Sequence, residues 1–66
     1  MIKIIKLPEV KEATGLSRSA IYAYIKRGIF PQSVTLGPRA VGWVEAEIQE
    51  WLEARIAESR NFTDDE

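Results

Sequence analysis

Apolar residues recur along this chain at spacings that predict a sequence of short elements. Ile2 to Lys6 alternates apolar and basic positions and predicts a short extended arm, with Ile2 and Ile4 on one side and Lys3 and Ile5 on the other. From Leu7 the spacing changes. Leu7, Val10 and Ala13 return at three-residue steps with Glu9, Lys11 and Glu12 between them, which predicts a helix ending near Thr14. Pro8 suits the first turn of that helix, where its missing N–H costs nothing. Ile21, Tyr24 and Ile25 predict the buried stripe of a second helix over residues 18–27, about 15 Å long. Ser33 to Leu36 and Val41 to Trp43 are β-rich runs around Gly37-Pro38-Arg39-Ala40 and predict a hairpin with Arg39 at its tip. Because a lone hairpin is unstable in water, Val34, Leu36, Val41 and Trp43 are expected to pack it onto the helices. Val44, Ile48, Trp51, Leu52, Arg55 and Ile56 then mark one face of a last helix.

Punctuation between the first two helices is the most specific local signal. Gly15 ends a helix cheaply in the left-handed conformation, Leu16 follows as an apolar plug, and Ser17 is a strong N-cap for the next helix. Helix, glycine, apolar residue, cap and helix, in that order, make a helix–turn–helix. Gly28 closes the second helix and Pro31 prevents an immediate restart. The predicted class is mainly α with a small β-hairpin, a single domain over residues 1–60. The polar stretch "NFTDDE", residues 61–66, is expected to be a flexible acidic tail.

Charge changes the picture by its distribution. The net charge is −1, yet residues 1–44 hold seven basic residues against two acidic ones (+5), and residues 45–66 hold two against eight (−6). A basic working face and an acidic remainder follow. With 66 residues the chain has no room for a second domain, and the absence of cysteine and histidine excludes disulfides, thiolate and imidazole chemistry and ordinary zinc sites. Ser17, Ser19 and Ser33 have no histidine to activate them, and no phosphate loop or metal-ligand cluster is present. No catalytic residue, metal or cofactor is expected. The apolar runs are too short to span a membrane and the N-terminus does not read as a signal peptide, so a cytoplasmic protein is expected.

Double-stranded DNA is the partner this geometry suits. A helix–turn–helix offers the start of its second helix to the major groove. There the chain places Ser17, Arg18 and Ser19: a guanidinium fork able to pair with guanine, flanked by short hydroxyls. Tyr22 and Lys26 continue along the outer face, with Arg27 at its edge. Arg39 on the hairpin tip reaches for backbone or minor groove, and Lys3, Lys6 and Lys11 add phosphate contacts. Duller readings stand beside these. Ser17 caps its helix whether or not DNA is near. Tyr22 either meets DNA or packs against the hairpin, Lys26 and Arg27 also favour a helix C-terminus, and Trp43 and Trp51 belong to the core.

"LPEVKEATGLSRSAIYAYIKRGIFP" and "LGPRAVGWVEAEIQEWLEARI" resemble the AlpA family of phage-type regulators. The likeness covers roughly residues 5–57, and "TGLSRS-IY", "FP" and "LGPRAVGW" carry it. The family is similar to excisionases and to the DNA-binding domains of MerR-type regulators. It implies a winged helix–turn–helix of three helices and a two-stranded wing, with the recognition helix on Ser17 to Arg27 and the wing on Gly37 to Ala40. It also implies a protein of a prophage or integrative element that regulates transcription, often of an integrase gene, or acts as a recombination directionality factor. Tyr24 departs from the family's usual aliphatic residue, and Ala46 from a small polar one. Two further expectations come from the charge split: head-to-tail association, with the acidic last helix of one copy on the basic wing or arm of the next, and, as the alternative function, a module binding an integrase or another regulator through Glu47, Glu50 and Glu53.

Overall fold

The computed structural model describes residues 1–62. In chain order the elements are β1 (Ile4–Ile5), α1 (Leu7–Thr14), α2 (Arg18–Lys26), β2 (Val34–Gly37), β3 (Ala40–Val44) and α3 (Glu45–Phe62). All three predicted helices and the hairpin form. α3 extends to Phe62, past the start of the stretch read as a tail, and residues 63–66 of that tail lie outside the described residues.

The core is small and is assembled from almost every element. Ile5 of β1, Val10 of α1, Ile21 of α2, Phe30 of the following loop, Trp43 of β3 and Ile48 of α3 are buried, with Leu7, Leu16, Tyr24, Ile25, Trp51 and Leu52 packed around them. Only β2 sends no buried side chain inward. Six buried apolar side chains among the described residues suit a chain this short, which conceals only about 60% of the surface exposed on unfolding.

Four expectations need correction. The extended arm becomes a third strand: Ile4 pairs with Val44 and Ile5 with Trp43, antiparallel, giving the sheet order β1-β3-β2. Ala13 is exposed, and Thr14 takes its place in the half-buried face of α1, where its Oγ1 donates to the Val10 carbonyl at 2.7 Å and accepts from the Leu16 N–H at 3.2 Å. The hairpin does not pack as predicted. Trp43 is fully buried, but Val34, Leu36 and Val41 stay exposed, Leu36 by 50%. Finally, Val44 belongs to β3, and the stripe of α3 is buried only near its start: Arg55 and Ile56 are in solvent.

Close approach explains one glycine. In β3, Gly42 pairs with Val34 of β2, and a Cβ there would overlap the Ile4 side-chain methyl and lie 3.0 Å from the Ile5 carbonyl oxygen. β1 therefore crosses β3 where β3 has no side chain. The β1–β3 junction also starts α3, whose first N–H, on Glu45, donates to the Lys3 carbonyl at 2.8 Å. That bond satisfies one of the donors that the start of α3 leaves open.

Candidate nucleic-acid interface

α2 is held at both ends by turn chemistry that its sequence carries. Gly15, at φ 74°, ends α1 and donates to the Lys11 carbonyl at 2.8 Å. Ser17 adopts extended backbone and its Oγ accepts from the Ala20 N–H at 3.1 Å, satisfying one of the donors a helix start leaves open. At the other end Gly28 (φ 77°) donates to the Ile25 carbonyl and Ile29 to the Tyr24 carbonyl, both at 3.0 Å. This crossed pair is the Schellman closure, which needs the left-handed conformation glycine adopts without strain.

Side chains partition around α2 by helical spacing. Ile21 is buried and Ala20, Tyr24 and Ile25 are half-buried, so this face lies against the core. Arg18, Ser19, Tyr22, Ala23 and Lys26 are exposed, as is Arg27 at the C-cap. The first turn of α2 thus projects into solvent with Arg18 and Ser19 exposed, and Ser17 beside them with its oxygen engaged in capping.

Two of the predicted contact residues touch. The Arg18 guanidinium carbon lies 5.7 Å from the centre of the Tyr22 ring, within the range of a cation–π contact. Tyr22 in turn meets Trp43 edge-on, with ring centres 6.4 Å apart. Tyr22 thus packs toward the hairpin at Trp43 while 40% of it stays in solvent, with Arg18 on its ring face.

Charge around α2 is unneutralised. Among the described residues one ion pair is formed, between Lys3 of the basic segment and Glu45 of the acidic one, at 3.7 Å. Arg18, Lys26, Arg27 and Arg39 have no acidic partner there. The Lys3–Glu45 pair also shows that the arm meets the acidic helix of its own chain.

The two tryptophans do more than fill the core. Trp43 Nε1 donates to the Pro31 carbonyl at 3.2 Å and Trp51 Nε1 to the Ile29 carbonyl at 2.6 Å, while Phe30 sits edge-on against Trp51 with ring centres 4.7 Å apart. The loop leaving α2 is thereby tied to β3 and α3 together, which fixes the orientation of α2 from its C-terminal side. Sequence reasoning missed these ties. A tryptophan N–H in a packed site does require an acceptor, but nothing in the spacing names which carbonyl supplies it.

At the hairpin tip, Arg39 carries φ 140° and its N–H donates to the Gly37 carbonyl at 2.9 Å. β2 bulges between Thr35 and Gly37, so Leu36 has no partner across the ladder. A non-glycine residue in this backbone region is strained by about 1–3 kcal/mol, and such strain collects at functional sites. No hydrogen bond or ion pair joins Arg39 to α2 among the described residues, so tip and helix are two separate, exposed basic points. Among the described residues no group of acidic side chains is placed to hold a metal, and no helix is long and apolar enough to cross a membrane.

Comparison with known proteins agrees with this architecture. Residues 3–56 match the family described as prophage CP4-57 regulatory protein (AlpA). Over 60 residues the chain is 40% identical to the DNA-binding transcriptional activator AlpA of Escherichia coli K12, covering 82% of this chain and 86% of that one. Over 55 residues it is 44% identical to the uncharacterized protein ORF88 of Enterobacteria phage P4, covering 83% of this chain and 62% of the phage protein. With its helix–turn–helix, its hairpin and a match spanning most of its length, the chain belongs to the AlpA family of prophage regulatory proteins.

Proposed function

We propose that this protein binds double-stranded DNA sequence-specifically as a transcriptional regulator, with α2 in the major groove and the hairpin tip on the adjacent backbone or minor groove. One observation carries the reading. The capped start of α2 stands in solvent with Arg18 and Ser19 exposed, and no acidic side chain among the described residues neutralises its outer face. A major groove admits one helix and offers guanine O6 and N7 to an arginine fork. The relative named as a DNA-binding transcriptional activator supports the same reading.

In this proposal Arg18 reads a base and Ser19 assists it, while Ser17 presents the helix start. Tyr22 supports Arg18, Lys26 and Arg27 hold phosphates beyond the helix, and Arg39 binds from the wing. The target belongs to a prophage or integrative element, with an integrase promoter or an attachment site as the sequences to try. Binding to the first makes the protein a regulator of integrase expression, and binding to the second a directionality factor. Both operate on DNA in the host cytoplasm.

Fluorescence anisotropy with duplexes from the integrase promoter and attachment site, against scrambled duplexes, tests this. Specific binding should weaken with salt, log K falling against log salt by about 0.9 per phosphate neutralised. Equal affinity for native and scrambled duplexes refutes specificity, and no binding at 50 mM salt on the order of micromolar protein refutes the function.

A second reading has its own observation. Glu47 and Glu50 border an open hollow lined by Gly28, Phe30, Pro31 and Trp51, a surface that suits a basic segment of an integrase or another regulator. Retention of integrase binding by Arg18→Ala, with loss after Glu47→Lys and Glu50→Lys, would favour it. Head-to-tail stacking on DNA would use Arg39 as its basic side, since Lys3 is engaged within its own chain.

A further inference from the structure

The second half of α3 leaves the fold with an apolar stripe uncovered. The helix contains 18 residues, about 27 Å, in a molecule of 48 × 28 × 20 Å. Ile48 is buried near its start, but from Glu53 to Arg60 every residue is exposed, Ile56 by 48%. Leu52 and Ile56 line a shallow hollow with Arg55, Ser59 and Arg60. At 100° per residue, Leu52, Ile56 and Ser59 share one face that continues the core-facing stripe beyond the body of the protein.

We propose that this face pairs with the same face of a second copy, the two α3 helices running antiparallel across a two-fold axis. Charge complementarity selects that occupant. In an antiparallel pair each residue of one helix lies level with one of the other, and the two numbers have a constant sum. Arg60 faces Glu53 of the second copy in the same register that sets Arg55 level with Glu58 of the second copy; each couple sums to 113. Glu53 and Arg60 lie on one flank of the Leu52–Ile56 stripe, so this register neutralises that flank; Glu58 points about 140° away from the stripe, and Arg55 stays over the Trp51 ring of its own chain, 5.2 Å from its centre. Symmetry forms the Glu53–Arg60 pair twice. Ile56 then meets Ile56 of the second copy near the axis, and Ser59 falls between Leu52 and Ile56 of the second copy, where a small side chain lets the helices approach.

The seam is short. Two large apolar residues per copy fall well below the roughly 800 Å² per partner of a standard interface, so the pair forms weakly in free solution. It is reinforced when neighbouring sites on one duplex raise the local concentration to about the millimolar range. Such a contact is isologous and closes at two copies. It presents two α2 helices related by a dyad, which an inverted repeat would match.

Charge reversal without DNA separates this pairing from other effects. Glu53→Arg places arginine opposite arginine at both ends of the seam, and Arg60→Glu places glutamate opposite glutamate, so each variant alone should sediment as a monomer. Mixed in equal amounts, they regain both complementary pairs and should form a heterodimer at the concentration where the parent dimerises. A second measurement uses the chain's lack of cysteine. Under mild oxidation at about millimolar protein, a concentration reached on neighbouring sites, Ile56→Cys should cross-link to a disulfide dimer and Ala54→Cys, on the opposite face, should not. A mixture that stays monomeric while the parent dimerises, or equal cross-linking at both positions, overturns the register. A parent that neither sediments as a dimer nor cross-links through Ile56→Cys overturns the pairing, whatever its affinity for DNA.

Discussion

Tyr22 couples the outer face of α2 to the core, and the coupling has a measurable size. Its ring lies 5.7 Å from the Arg18 guanidinium carbon, and an exposed contact of this kind is worth about 0.5–1 kcal/mol. Tyr22→Leu removes the ring face, so Arg18 must be ordered at the moment of binding. Affinity for the specific duplex should fall roughly 2- to 5-fold, the equivalent of that energy. Tyr22→Phe keeps both the ring face and the edge contact with Trp43 and should bind within about 2-fold of the parent. Arg18→Ala should cost about 1–3 kcal/mol, roughly 5- to 150-fold, and relax specificity. In the Arg18→Ala background Tyr22→Leu should be nearly silent, a coupling of about 0.5–1 kcal/mol. Anisotropy titrations of the four proteins on specific and scrambled duplexes at one salt concentration supply the cycle, with thermal melts to establish that each is folded. Additive losses would refute the supporting role of Tyr22, and a Tyr22→Phe defect as large as that of Tyr22→Leu would assign the contribution to the hydroxyl.

Three further outcomes follow from the packing. Gly42→Ala drives a methyl into Ile4 and against the Ile5 carbonyl; overpacking of this kind costs about 1–3 kcal/mol, and the melting temperature should fall by about 4–8 °C per kcal/mol. Ile4→Ala in the same chain should recover part of the loss, and an unchanged melting temperature in the single variant contradicts the close approach. Trp51→Phe retains an aromatic ring but deletes the 2.6 Å bond to the Ile29 carbonyl, so stability should drop by about 0.5–1.5 kcal/mol, with faster amide exchange at Ile29 and Phe30 the local readout. Arg39→Gly relieves the positive φ while removing a charge from the wing: the melting temperature should hold or rise as DNA affinity falls evenly across sequences, and a loss of stability would show that the tip is unstrained.

Chemistry that acts within a few residues can be read from the order of the residues alone. Gly15, Ser17 and Gly28 end or cap helices through bonds to neighbours at most five positions away, so their roles are legible in the string. The 3.6-residue stripe of α2 follows from the same locality: it places Ile21 inward and Arg18, Ser19 and Lys26 outward without reference to the rest of the chain. Tertiary structure decided the remainder. Two residues have no period, so Ile4-Ile5 becomes a strand only because Val44 and Trp43, some forty positions on, lie beside it, and the need for glycine at position 42 arises from that crossing. Likewise, the alternation in the hairpin sorts its residues into faces but cannot say which face is covered, so Val34 and Leu36 read as core and stand in solvent. The Trp43 and Trp51 bonds to the α2 loop and the edge contact of Tyr22 with Trp43 have the same origin. They depend on where distant backbones come to rest, and burial is a property of the assembled chain that no local pattern carries.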